Sequence, residues 1–438
     1  MRATESSSNT DTVLAEIAWL SAQNPQQEFH SLMHHYNVGS LRRCFDKLDG
    51  QKACGADHIS KEKYKVNLSA NLEDLIARMK RMAYRPGPVR EVLIPKEGQA
   101  GATRALGISN FEDKLVQKRT QELLESIYEP SFLDCSYGFR PKRSCHDAIQ
   151  ALMDYLFKEE VEVVLDVDIA NFFDSINHQV AQDIIGTKIK DFKFIRYLSR
   201  MFKAGVLSRG ELRVSDEGVA QGSCCSPVIA NIVAHYVIDQ WMHEVVMPRM
   251  RGKVRLFRYA DDMVMCCQYA DDARRIKDVL GQRLNKYQLA LNEEKTKLVD
   301  FSKRKSSQGI PQGSFEFLGF RFYLGKSRQG RTIPKLKTSS KRFCSKLKRV
   351  REWIKKVRNR SPLGTIWKVT CTKLRGHVQY YGVSFNSKRV SDFIYEATRI
   401  IFKWLNRRSQ RKSFDWYKFS LFKQRYPLPK VIIVHKLF

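Results

Sequence analysis

Two short segments of the chain carry carboxylates in a setting that could do chemistry. The first, Val163-Val-Leu-Asp166-Val-Asp168, closes an apolar run from Val161 whose alternation puts Asp166 and Asp168 on the same side of a strand. The second, Phe257-Arg-Tyr-Ala-Asp261-Asp262-Met263, sets an acidic pair between two apolar runs, Val254 to Tyr259 and Met263 to Cys267. Such a pattern is a tight hairpin that lifts its acids off a sheet and lets one of them face a neighbouring strand. Carboxylates converging from separate strands can hold two divalent cations about 4 Å apart, one activating a hydroxyl and one holding a triphosphate. Adjacent residues cannot point the same way, so Asp168 and Asp261 are expected to bridge both metals and Asp262 to coordinate more weakly.

An Asp-Asp pair is also common at hairpin turns for backbone reasons alone. Tyr269-Ala-Asp-Asp272 repeats the string ten residues on, with no apolar strand after it, and reads as a helix start capped by Asp271 or Asp272. What separates the first copy is the company it keeps.

The elements that must position these acids alternate in type. From Thr12 to about Ala83 apolar residues recur at helical spacing, broken by a flexible loop from Gly50 to Gly55. Val89 to Ile94 and Ala105 to Ile108 read as a hairpin, Phe111 to Tyr128 as a helix, and Phe315 to Tyr323 as a strand. The order implies an α+β layer. From 326 to 360 fifteen Lys or Arg face a single acid, Glu352, while Phe343, Leu347, Val350, Ile354 and Val357 mark one apolar helical face. A domain boundary is expected near 325–335.

Composition bounds the partner. The 438 residues exceed the usual size of one core, so at least two domains are expected. Lys and Arg number 77 against 46 Asp and Glu, a net charge of +31 that points to a polyanion. No apolar stretch approaches the roughly 20 residues that span a bilayer, and Met1 to Thr12 lacks a signal pattern and is expected to be disordered, so a cytosolic location follows. Ten cysteines include no Cys-x-x-Cys, which argues against zinc and for thiols packed as small apolar groups in a reducing compartment.

Nine segments, in order over roughly residues 40–385, carry a resemblance: Tyr84-Arg-Pro-Gly-Pro-Val-Arg90, Ile94-Pro-Lys96, Arg104-Ala-Leu-Gly-Ile108, Ser136-Tyr-Gly-Phe-Arg-Pro141, Asp168-Ile-Ala-Asn-Phe-Phe-Asp174, Gln221-Gly-Ser-Cys-Cys-Ser-Pro227, Tyr259-Ala-Asp-Asp262, Leu291-Asn-Glu-Glu-Lys-Thr296 and Phe317-Leu-Gly-Phe320. The chain resembles the reverse transcriptases encoded by group II introns and their group II-like bacterial relatives. The resemblance implies an α+β right-hand polymerase, with fingers and an antiparallel palm sheet, a helical-bundle thumb and a helical N-terminal extension. It implies 1–28 as a flexible segment, 29–83 as the extension with a template-lid loop, 84–160 as fingers, 161–325 as palm, 326–405 as a basic thumb and 406–438 as a short tail.

The same resemblance assigns roles. Asp168, Asp261 and Asp262 would hold two Mg²⁺ (or Mn²⁺), and Lys295 would protonate the leaving pyrophosphate, although a lone Lys on a helix is otherwise simply solvated. Phe173 matches the ring that excludes a 2′-hydroxyl, with core packing the alternative for Phe172-Phe173. Lys96 and Arg104 match the clamp on the triphosphate, across a loop, Glu97 to Thr103, slightly long for the family. Ile169, Phe172 and Gln221 complete the nucleotide pocket, and Gly222 lies beneath the template-primer base pair. Gly50, Lys52 and Gly55 belong to the loop over the template.

The expected function is RNA-directed DNA polymerisation with dNTPs on RNA and DNA template-primers, by a monomer or a homodimer. Ala105, Ser109 and Ala220 replace prolines usual in the family, and nothing after the thumb resembles the Cys/His-rich endonuclease of mobile introns. These departures favour a free-standing enzyme serving its host in DNA repair synthesis or end joining. The alternatives are an intron-encoded reverse transcriptase and maturase, a phage-defence enzyme, or a maturase without polymerase activity, the last disfavoured by three intact carboxylates.

Overall fold

Among the described residues the β-branched and aromatic runs form eleven strands, and the long amphipathic runs form helices that cover them. The computed structural model describes residues 2–95, 103–208, 211–219, 222–408 and 414–438. The strands are β1 (Val89–Pro95), β2 (Thr103–Ile108), β3 (Val163–Asp168), β4 (Val206–Ser208), β5 (Glu211–Arg213), β6 (Val254–Tyr259), β7 (Asp262–Cys267), β8 (Lys297–Asp300), β9 (Ser314–Phe317), β10 (Phe320–Lys326) and β11 (Thr332–Thr338). They make three sheets, ordered β2-β1-β4-β5, β6-β7-β3-β8 and β11-β10-β9. All pairings are antiparallel except β1 with β4.

In the central sheet, β6-β7-β3-β8, strands β3 and β7 are covered on both faces, while the edge strand β8 is mostly exposed. Leu165, Val167, Leu256, Met263 and Met265 face one core, shared with the helices Phe111–Tyr128, Ser226–Ala234 and Ala270–Lys286. Val164, Phe257, Val264 and Cys266 face a second, which takes in helix Cys145–Lys158 and the phenylalanines 315, 317, 320 and 322 of the third sheet. Because side chains alternate along a strand, Asp166 and Asp168 continue the second face where its apolar cover ends. A third core, around Ile354, Trp367, Ile401 and Phe419, joins the helices Ser340–Val357, Leu363–Tyr381, Ser387–Leu405 and Trp416–Arg425. All ten cysteines are free thiols.

Several expectations are corrected. The N-terminal segment forms a helix, Arg2–Gln23, rather than a disordered tail. Ile17 is buried and Ser21 Oγ donates to the Ile127 carbonyl, so the C-terminal end of this helix is tied to helix Phe111–Tyr128. The loop around Gly50–Gly55 is pinned: Lys114 donates to the Ala53 carbonyl at 2.8 Å and Arg90 to that of Cys54 at 2.7 Å. Phe315 to Tyr323 is two strands, because Leu318 and Gly319 both take positive φ (50° and 79°) and reverse the chain. The basic stretch opens with strand β11, and helix begins only at Ser340. Residues 427–438 fold back onto the chain: Val434 and His435 donate to the Gly382 carbonyl, and Gln150 donates to that of Leu437.

The second Tyr-Ala-Asp-Asp string does start a helix, but neither aspartate caps it. Tyr269 is the N-cap without a side-chain bond, and the Glu162 carboxylate accepts from the Ala270 amide at 3.1 Å. Asp272 turns away to accept from the amides of Arg251 and Gly252.

Candidate active site

Strand register brings the acids together. Asp168, the last residue of β3, lies directly opposite Asp262, the first of β7, and Asp166 lies opposite Val264. Between Tyr259 and Asp262, which pair across the β6-β7 hairpin, only Ala260 and Asp261 remain to make the turn. Ala260 takes φ 58°, a left-handed conformation, and the turn presents Asp261 at the tip. The Ser136-Tyr-Gly motif packs against it: a Cβ on Gly138 would sit 2.5 Å from the Ala260 nitrogen, so only glycine fits there.

The electrostatics are those of crowded acids. Burial pushes the Asp262 carboxyl up to about 7, opposed by the Leu318 amide, with Asp166, Asp261 and Asp168 adding repulsion. Burial also lifts Asp166 to about 7, with Asp168 adding to it and Lys297 opposing. Asp261 is raised by loss of solvent and by Asp168, while Arg104 and Arg258 pull it down. Lys295 is a direct cationic partner, its Nζ donating to Asp168 Oδ2 at 3.1 Å. Lys295 is held there because the Asn292 amide donates to the Asp168 carbonyl at 2.8 Å, wrapping the Leu-Asn-Glu-Glu-Lys-Thr segment around the end of β3.

Hard oxygen donors with unmet negative charge suit a divalent cation. Among the described residues, no three His, Cys, Asp or Glu side chains are gathered closely enough to enclose an ion by themselves. Carboxylate oxygens of this kind are the donors that a hard divalent cation such as Mg²⁺ takes, with water and phosphate oxygens completing its shell.

Residues 94–322, over half of the chain, match the reverse transcriptase (RNA-dependent DNA polymerase) family. The chain belongs to that family. It is therefore a nucleotidyltransferase, an RNA-directed DNA polymerase, of the group II-like kind. It is 29% identical over 327 residues to the protein YkfC of Escherichia coli, covering 66% of this chain and 82% of that one. It is 34% identical over 261 residues to the group II intron-encoded protein LtrA of Lactococcus lactis, covering 58% of this chain and 39% of LtrA. A 91 kDa protein in the cob intron of Schizosaccharomyces pombe is 36% identical over 174 residues, 40% of this chain and 21% of that protein. No helix among the described residues is long and apolar enough to cross a membrane.

Around the carboxylates of this reverse transcriptase, the expected nucleotide-contacting residues divide. Arg104, on β2, is exposed and close enough to act on Asp261. Phe173 is partly exposed, its ring edge-on to Phe172 at 5.8 Å. Ile169 and Phe172 are 5% and 2% exposed and pack in the core behind the carboxylates. Lys96 and Gln221, with Ala220, lie outside the described residues.

The template-side residues also divide. Gly50, Lys52 and Gly222 line one cavity of about 510 Å³, together with Lys61, Lys114 and Lys118. Gly222 has φ 120°, and a Cβ there would lie 2.4 Å from the Gly107 carbonyl of β2. Gly55 lies against the Asn110 backbone, 2.5 Å from a would-be Cβ. Gly50 meets only the Lys61 side chain, at 3.3 Å, and its lack of a side chain is not required. A larger cavity of about 810 Å³ sits at the other end of β3, beside Glu162 and Gln268, away from the carboxylates.

The residue overlooked in the sequence is Arg258. It is wholly buried and paired with an equally buried Asp239. An arginine inside the apolar run Val254 to Tyr259 was the available signal, because a charge on a covered strand requires a partner.

Proposed function

We propose that Asp168, Asp261 and Asp262 hold two Mg²⁺ or Mn²⁺ ions and that the enzyme extends a primer with dNTPs on RNA and on DNA templates. The observation that carries this reading is the register of Asp168 opposite Asp262, with Asp261 on the two-residue turn beside them. When bound, the ions would supply an activated primer hydroxyl and neutralise the triphosphate. Asp168 and Asp261 serve as the shared ligands. Asp262 coordinates less, because its Oδ2 already accepts from the Leu318 amide.

Lys295 gives a proton to departing pyrophosphate, a reading supported by its contact with Asp168. Arg104 with Lys96 draws in the triphosphate. Phe173 crowds the sugar and favours deoxynucleotides, and Gln221 and Gly222 lie under the base pair. The lysine-lined cavity at Gly50, Lys52 and Gly222 follows template phosphates, with Gly55 turning the loop above it. The basic helices after Ser340 act as the thumb, gripping the duplex backbone.

In the cell we place the enzyme in host DNA repair synthesis or end joining, on the strength of Ala105 and Ser109 where the family usually has proline. The likeness to LtrA, an intron-encoded protein by name, supports a second reading as an intron-encoded reverse transcriptase and maturase. Primer extension on matched RNA and DNA templates, including ends with short complementary 3′ overhangs, tests the function. Extension on all three is expected. No extension by the intact chain would overturn the polymerase reading, and intron RNA domains flanking the gene would overturn the host role.

A further inference from the structure

We propose that Arg258 is a positioning residue for the metal-holding hairpin, fixed from behind by Asp239. The proposal rests on the reading of Asp168, Asp261 and Asp262 as metal ligands.

A guanidinium has five N–H donors, and all five of Arg258 are used. Nε donates to Asp239 Oδ1 at 2.7 Å and Nη2 to Asp239 Oδ2. Nη2 also donates to Ser136 Oγ at 2.8 Å, and Nη1 to Asn231 Oδ1 at 3.1 Å. The fifth bond, from Nη1, goes to the Ala260 carbonyl at 3.0 Å. That carbonyl belongs to the left-handed residue of the turn, immediately before Asp261.

The same network reaches the turn from its other side. Asn231 Nδ2 donates to the Gly138 carbonyl at 2.7 Å, and Gly138 is the residue whose missing Cβ leaves room for the Ala260 nitrogen. The β6-β7 turn is therefore clamped from helix Ser226–Ala234, from Asp239 and from the Ser136–Gly138 segment at once. A buried ion pair is a costly way to hold a fold, since apolar residues of similar volume often serve as well. What apolar residues cannot do is donate to the Ala260 carbonyl and fix Asp261 relative to Asp168. Lysine, with three donors on one atom, cannot span these acceptors either.

Mn²⁺ binding to the full chain, without nucleotide or primer, is followed by loss of the free-ion electron paramagnetic resonance signal. The variants are Arg258→Lys, Asp261→Asn and Glu122→Gln. Glu122 belongs to a separate buried cluster with Arg43 and Arg119, and its variant reports what losing a buried charge does by itself. Arg258→Lys is expected to bind Mn²⁺ about tenfold or more weakly, the usual effect of losing a support behind a ligand, with primer-template affinity unchanged. Glu122→Gln is expected to melt earlier yet bind Mn²⁺ as the wild type does.

Wild-type Mn²⁺ affinity in folded Arg258→Lys overturns the proposal, and so does an equal loss in Glu122→Gln. Should Arg258→Lys not fold, Ser136→Ala removes one acceptor and keeps the Arg258–Asp239 pair. About threefold weaker Mn²⁺ binding is then expected, the scale of one hydrogen bond, and no change overturns the proposal. If the wild type and Asp261→Asn bind Mn²⁺ alike, the ligand assignment itself fails, and the proposal falls with it.

Discussion

The amide of Leu318 donates to the Asp262 carboxylate at 3.3 Å, tying the innermost acid of the site to the turn between β9 and β10. The carbonyl of the same residue accepts from the Tyr380 hydroxyl at 2.9 Å. Tyr380 lies on helix Leu363–Tyr381, so two hydrogen bonds through one backbone residue connect the carboxylates to the basic helical region.

Tyr380→Phe keeps the ring that stacks on Phe320 and removes only the hydroxyl. A partly buried carbonyl left without its donor costs about 1 kcal/mol, so a slightly lower melting temperature is expected. Primer extension should slow severalfold while the variant still binds primer-template. Unchanged extension would show that the turn holds its place without the helix.

Phe173 and Phe172 are adjacent yet differently placed, and their alanine variants should separate. Phe173→Ala is expected to fold and to accept ribonucleotides more readily, read as the ratio of dNTP to NTP incorporation. Phe172→Ala empties a core position and is expected to cost about 3 to 5 kcal/mol in a denaturant titration. A sugar preference that moves with Phe172 and not Phe173 would reverse the assignment.

Gly222 and Gly50 make a similar contrast. Gly222→Ala sets a Cβ against the Gly107 backbone at positive φ, a strain of about 1 to 3 kcal/mol that must shift the loop. Weakened primer-template binding is expected in a gel-shift or anisotropy titration. Gly50→Ala should bind as the wild type does, because only the flexible Lys61 side chain is near.

Asp113 on helix Phe111–Tyr128 gives a pH dependence outside the metal site. Burial lifts its carboxyl from 3.8 to about 6, although the Tyr84 hydroxyl and Gly87 amide both donate to it. A carboxyl raised on folding favours the proton in the native state. Its contribution is fully present below the unfolded value and is lost as pH rises through the folded one. Asp113→Asn, which cannot titrate, should therefore gain on the wild type by up to about 3 kcal/mol between pH 4 and 6.5 in urea melts. A constant difference across that range would contradict the assignment.

The parts of the fold legible in the sequence were those with an uninterrupted period. Helix Phe111–Tyr128 and the β6-β7 hairpin follow such runs, and the hairpin needs only two turn residues, so its acids could be placed by counting. Charge concealed strand β11, where Pro334, Leu336 and Thr338 point inward at strand spacing while Lys335 and Lys337 point out. Its basic residues are as compatible with a solvated helix face as with a strand edge. The break at Leu318-Gly319 was hidden because it depends on positive φ within a continuous apolar run.

At the site, the positions of Asp168 at a strand end and of the Asp261-Asp262 turn were legible from the lengths of the apolar runs, whereas the register, which sets Asp262 and not Asp261 opposite Asp168, depends on how the strands pair. The clamp behind them was not legible. Arg258 and Asp239 are 19 residues apart, and no helical or strand period links those positions. Only the packing of helix Ser226–Ala234 and the segment that follows it beneath the central sheet brings them together.

The most direct test of the account is single-turnover primer extension by the wild type and by Asp261→Asn, with equal amounts of bound primer-template and saturating Mg²⁺. Asp261→Asn keeps the size of the side chain and removes its charge. A loss of about a thousandfold or more in rate is expected, corresponding to about 4 kcal/mol of lost charge stabilisation, with primer-template binding intact. Extension at the wild-type rate would contradict the assignment of Asp261 to the chemistry.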